Sequence, residues 1–97
     1  MPTYIILLRY TQQGIEKIKD SPKRLEAAKE AFRAMGVNLK EFYLVTGQYD
    51  AVVVASAPND ETATKAVLAQ ASKGFVRTET LRAYTEDEYR KIIAALP

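Results

Sequence analysis

Neither cysteine nor histidine occurs among the 97 residues. That removes the thiolate nucleophile, the disulfide, the imidazole base and every Cys/His zinc or haem ligand together. Glycine is scarce as well. The four present, Gly14, Gly36, Gly47 and Gly74, are isolated from one another, so neither a GxGxxG fingerprint nor a Walker loop exists. Long apolar runs are also missing: residues 5–8 are apolar, but Arg9 ends the run and no basic segment precedes it. No stretch approaches the roughly 18 apolar residues of a membrane span. A soluble, cytoplasmic protein with no membrane partner is therefore expected. An excess of one charge is lacking too, since 14 Lys and Arg against 12 Asp and Glu leave a net charge of +2.

The composition that remains, 47% hydrophobic and 27% charged, is that of a globular chain. A single domain of this length buries about 60–65% of the surface it exposes when unfolded, which suffices for one sheet with helices on it. Residues 14–40 carry seven bases and four acids, yet the signs alternate from Lys17 to Arg33 as on a solvated helix face. Nucleic-acid binding would cluster bases without interleaved acids, so no nucleic-acid partner is expected.

Periodicity divides the chain into seven main elements. Residues 4–10 are β-branched and aromatic, with apolar side chains at both parities, as in a central strand covered on both faces. From Ile15 the period becomes helical, and Leu25, Ala28, Phe32 and Met35 share one side. Ser21-Pro22 predicts an N-cap and first helical residue, hence a short helical turn, a kink and a main helix over 22–35 that ends at Gly36. Residues 42–45 and 51–55 are two further strands. Their connection contains glycine and is too short for a parallel crossover, so they form a hairpin. Asn59 or Asp60 then caps a helix closed by Gly74, with Ala63, Ala66, Val67 and Ala71 inside. In the fourth strand, 75–84, Val76 and Thr78 suit one face before Leu81 and Ala83 take over out of phase. A β-bulge near Glu79 and Thr80 would restore the parity. Thr85 to Glu88 is a capping box, opening a last helix with Tyr89, Ile92, Ile93 and Leu96 on one side.

This order predicts an α+β, ferredoxin-like βαββαβ sandwich. It has a four-stranded antiparallel sheet of order 4-1-3-2 and an extra C-terminal helix. Two helices cover only one side of that sheet, whereas strands one and three are apolar on both. An exposed patch of several hundred Å² exceeds what a monomer ordinarily shows. The last helix is too short to roof it alone. A homo-oligomer of the dimeric α+β barrel type is therefore expected, with the last helix at the interface.

Thr11-Gln12-Gln13-Gly14-Ile15, Tyr43 ahead of Gly47-Gln48-Tyr49-Asp50, Ala57-Pro58, and the run from Val76 to Ala83 follow one another on these elements. In this set the chain resembles the GYD domain family over nearly its whole length. One residue stands between the glycine and tyrosine of the literal Gly/Tyr/Asp element. The resemblance implies the same fold and an oligomer. It implies little chemistry, because the family consists of small prokaryotic proteins whose biochemical role is largely unassigned.

The candidate ligand-binding residues are Arg9, Tyr10, Tyr43, Gly47, Tyr49, Asp50 and Thr80. In a plain turn, Gly47 supplies positive φ, Asp50 accepts a backbone N–H and Tyr49 packs over the strand ends. In a pocket, Asp50 becomes a carboxylate at the mouth with Tyr43 and Tyr49 as walls. Arg9 either leaves the core at the strand end or holds an anion through its planar fork. Residues 77–82, Thr80 among them, otherwise read as a guarded edge strand. No metal site and no cofactor are expected. The leading expectation is an oligomeric module that binds a small organic ligand at the sheet or subunit interface. The rival is a cofactor-independent oxygenase or isomerase using Asp50, Tyr49 or Arg9. RNA binding ranks last, because the third strand offers no aromatic platform for stacking.

Overall fold

Alternation along the strands decides which side of the sheet each residue takes, and a computed structural model of residues 1–97 shows how the elements use it. The strands are β1 (Thr3–Tyr10), β2 (Asn38–Leu44), β3 (Ala51–Ser56) and β4 (Val76–Ala83). The helices are α1 (Gln12–Glu16), α2 (Ser21–Ala34), α3 (Asp60–Ala71) and α4 (Glu86–Ala94). The sheet order is β2-β3-β1-β4 with every neighbour antiparallel, which is the expected 4-1-3-2 ferredoxin-like arrangement.

Tyr4, Ile6 and Leu8 of β1 stand opposite Ala55, Val53 and Ala51 of β3, on the side covered by α2 and α3. The core forms there, from Tyr4, Ile6, Val53 and Ala55 against Phe32, Val37, Ala63, Ala66 and Val67. The small residues of α3 let its backbone approach the sheet closely, and Asn59 caps it by accepting the Thr62 N–H at 2.8 Å. Gly36 ends α2 with a φ of 78°, a conformation that costs a side-chain-bearing residue strain.

Two local expectations are corrected. The β1–β4 register runs unbroken from Thr3↔Ala83 to Tyr10↔Val76, so β4 carries no bulge at Glu79 or Thr80. The irregularity lies in β2, between Leu39 and Glu41. No phase change is required in β4, because Leu81 stands opposite Ile5 on the uncovered face, which is itself apolar. Ser21 is not the N-cap of the main helix. It is the first residue of α2, after a 3-10 turn at Ile18–Asp20, and its Oγ lies 3.2 Å from the Tyr10 hydroxyl. The side-chain cap in this region belongs to Thr11, which accepts the Gly14 N–H at 3.0 Å and starts α1.

The other side of the sheet is left without a cover by this chain. Ile5 and Leu7 of β1, Val52 and Val54 of β3, Tyr43 of β2 and Leu81 of β4 share it by register. The last helix does not fold beneath it. No residue of α4 is buried, and Tyr89, Ile92, Ile93 and Leu96 are 45–62% exposed. A radius of gyration of 14.6 Å and extents of 51 × 31 × 18 Å show how elongated the molecule is. A compact chain of this length would have a radius near 13 Å. No helix is long and apolar enough to cross a membrane.

Candidate functional site

The β2–β3 connection closes beside the far end of β1, and there side chains from three elements meet. Gly47 turns the chain at a φ of 120°. The next carbonyl, of Gln48, accepts the Arg9 Nε–H at 3.0 Å. The Arg9 guanidinium lies 4.5 Å from the centre of the Tyr49 ring and 3.5 Å from Glu79 Oε1, and the Tyr49 hydroxyl donates to Glu79 Oε2 at 2.8 Å. Arg9, Tyr49 and Glu79 thus form a closed triangle at one end of the uncovered face. The Glu79 hydrogen bond raises the Tyr49 pKa above its ordinary value, and burial adds to this while Arg9 opposes it. A phenol held this way is a donor and an aromatic wall rather than a ready base.

The remaining sequence candidates divide between the two faces. Asp50 joins the strands: its Oδ2 accepts the Tyr10 N–H at 2.9 Å, and its own N–H donates to the Leu8 carbonyl at 2.8 Å. Tyr43 lies on the uncovered face opposite Val52 and donates to the Glu41 carboxylate, which raises its pKa. Tyr10 takes the helix side, with its hydroxyl against Ser21. Thr80 is also on the helix side, opposite Ile6, where it is exposed. Arg9 and Tyr49 therefore touch, Asp50 touches the Tyr10 backbone, and Thr80 meets none of them.

A second feature is not visible in the sequence. Between the helix side of the sheet and the helices lies a cavity of about 180 Å³, lined by 19 residues of which 14 are hydrophobic. The other five are Ser21, Arg24, Gln70, Lys73 and Thr78, and the Tyr10 hydroxyl beside Ser21 adds a sixth polar group. Arg24 stacks 4.3 Å from the Phe75 ring centre and donates from Nη1 to the Lys17 carbonyl at 2.9 Å. In an alternating charge pattern Arg24 reads as one more solvated base. The available signal is its place beside Leu25 and one turn before Ala28, at the margin of the apolar stripe, with Ala27 and Ala28 too small to fill the space below.

At the opposite end of the sheet, the Tyr4 hydroxyl donates to Asp60 Oδ1, and Arg82 lies 3.7 Å from the same carboxylate oxygen and 4.5 Å from the Tyr84 ring centre. Burial, with Asp60 beside it, pushes the Tyr4 pKa up to about 12. This cluster ties α3 to the edge strand.

Comparison with known proteins agrees with the fold. A protein of Thermus thermophilus described as a glutamine synthetase and cystathionine beta-lyase binding protein is 40% identical over 84 residues, 86% of this chain and 88% of the relative. The crystal structure of TTHA0845 from Thermus thermophilus superposes with a TM-score of 0.57 at 30% identity, over 88% of this chain and 95% of that one. A feast or famine regulatory protein from M. tuberculosis gives a TM-score of 0.65 at 16% identity. It covers 89% of this chain, which spans about half (54%) of the regulator, and at that identity it shares the fold alone. The family described as GYD domain matches residues 4–93, from the first strand to the last helix. The chain belongs to the GYD domain family.

Proposed function

We propose that the protein is a self-associating binding module, in which a second copy covers the open face of the sheet and a small organic ligand is held where the two meet. The observation that carries this reading is the apolar, uncovered face of Ile5, Leu7, Val52, Val54, Tyr43 and Leu81, with an unattached amphipathic α4 at its end. Four strands about 4.8 Å apart, six to eight residues long at about 3.3 Å each, present roughly 450 Å². A stable pair needs about 800 Å² per partner, and the apolar side of α4 supplies the difference. A second copy is favoured as the cover because the face carries both charge signs, Glu41 and Glu79 with Arg9 and Arg77, so a two-fold arrangement can oppose unlike charges. The triangle of Arg9, Tyr49 and Glu79, with Tyr43, then lies at the edge of the shared space and supplies polar contacts for a ligand.

The relative described as binding glutamine synthetase and cystathionine beta-lyase supports a wider form of the same reading, in which the assembly holds other proteins. The rival enzyme reading has less support, since the Asp50 carboxylate already anchors the Tyr10 amide.

Analytical ultracentrifugation at micromolar concentration tests the proposal. The native chain is expected to sediment as a dimer or larger, and Val54→Glu, at the middle of the face, as a folded monomer. A native monomer across that range would overturn it. Mixing with purified glutamine synthetase and cystathionine beta-lyase tests the wider form, for which co-sedimentation with either is the expected result.

A further inference from the structure

We propose that the helix-side cavity is a second, separate binding site, for a small carboxylate with an apolar body, its carboxyl group on Arg24. Of all buried side-chain nitrogen and oxygen atoms, Arg24 Nη2 alone has no hydrogen-bond partner. The guanidinium is held in place, by the Phe75 ring on its face and the Lys17 carbonyl on Nη1, while Nη2 is left over. A buried charged donor without a partner is costly, and a carboxylate in the cavity relieves that cost by drawing Nη2 toward it through a small turn of the guanidinium. This chain does not supply one. None of the 19 lining residues is an Asp or Glu, whereas Arg24 and Lys73 are both among them.

The chemistry of the rest of the lining selects the ligand's other end. Ile6, Leu8, Phe32, Phe42, Val53 and Val67 surround the interior, so the body of the ligand must be apolar. The volume of about 180 Å³ limits its size. A dry apolar cavity of about 150 Å³ accommodates benzene, so a ring or short chain with one carboxyl group, about eight or nine non-hydrogen atoms, fits here. Phosphate is disfavoured, being strongly hydrated and facing an apolar interior with a single free donor. The planar guanidinium suits a carboxylate, with Lys73 adding charge from α3's end of the rim. The site lies on the opposite side of the sheet from the proposed subunit contact, and neither depends on the other.

Calorimetric titration with benzoate and hexanoate tests this, with benzamide, hexanamide and inorganic phosphate as controls and amide NMR to locate the contact. At least one carboxylate is expected to bind and to shift the Leu8, Phe42 and Val53 resonances. Its amide counterpart should bind at least about tenfold more weakly. Arg24→Gln should weaken the carboxylate about 10- to 100-fold, the range for loss of a charge-assisted hydrogen bond, and leave the amide unchanged. Ala28→Leu fills the cavity without removing a charge. It should abolish binding while the protein stays folded, and so decides the matter even if Arg24→Gln does not fold. Equal binding of acid and amide, stronger binding of phosphate, shifts confined to other residues, or no binding at millimolar carboxylate would each overturn the assignment.

Discussion

Asp50 and Tyr10 are joined by a carboxylate-to-amide hydrogen bond of 2.9 Å, and the Asp50 amide returns one of 2.8 Å to Leu8, so the β2–β3 connection is fastened to the end of β1. Because the acceptor is charged and half-buried, Asp50→Ala should cost about 1.5–3 kcal/mol. Asp50→Asn keeps an acceptor oxygen and should cost less than half of that. Urea denaturation of the two variants measures the difference.

Gly14 illustrates a different constraint, one of space. A Cβ built there would lie 2.1 Å from the Phe75 carbonyl oxygen, the group that accepts the Thr11 N–H at 3.1 Å. Gly14→Ala must push α1 away from the start of β4, at a cost of about 2–3 kcal/mol. At Gly36 nothing stands within 4 Å, so alanine there meets only the strain of positive φ, about 1 kcal/mol. Thermal melts should rank Gly14→Ala well below Gly36→Ala.

Tyr4 makes the fold sensitive to strong base. Its pKa is about 12 in the folded chain against 10.0 when unperturbed, burial being the main cause. The stability this represents is fully present below pH 10 and is lost as pH rises toward 12, where the unfolded chain releases the proton and the folded one holds it. The native urea midpoint should fall over that window more steeply than that of Tyr4→Phe, and the difference between the two curves isolates Tyr4.

Glu88 sets the opposite limit, at the start of α4. Its carboxylate accepts the Thr85 N–H at 2.8 Å while Thr85 Oγ1 accepts the Glu88 N–H, and this capping lowers the Glu88 pKa. The contribution of a depressed carboxylate is present above its unfolded value and disappears as pH falls through the folded one. Nine residues with no buried side chain make a marginal helix. Amide exchange in α4, taken relative to the intrinsic rate at the same pH, should therefore accelerate below about pH 4. Thr85→Ala should accelerate it already at neutral pH, and raising the protein concentration should slow it if α4 packs in the assembly.

Strand and helix order, the caps at Asn59 and Thr85, and the end of α2 at Gly36 are all legible in the chain, because each depends on neighbours within a few residues. The bulge expected in β4 is absent for an equally definite reason. Parity in an edge strand implies a bulge only if the sheet is apolar on one side at that position, whereas Leu81 lies beside Ile5 on the other. Ser21 does not cap because its own backbone is already helical, at φ −55° and ψ −42°, and its hydroxyl lies instead beside that of Tyr10, eleven residues earlier.

The sequence alone determined an α+β sandwich with too few helices to cover its sheet, since periodicity, capping and the count of apolar positions are local quantities. The tertiary structure decided which charges act together: Arg9 with Tyr49 and Glu79, and Arg24 above a cavity that its neighbours Ala27 and Ala28 leave open. Those groupings follow from strand register and from how helices sit across the sheet. They arise between residues 30 to 70 positions apart, where no spacing along the chain records them.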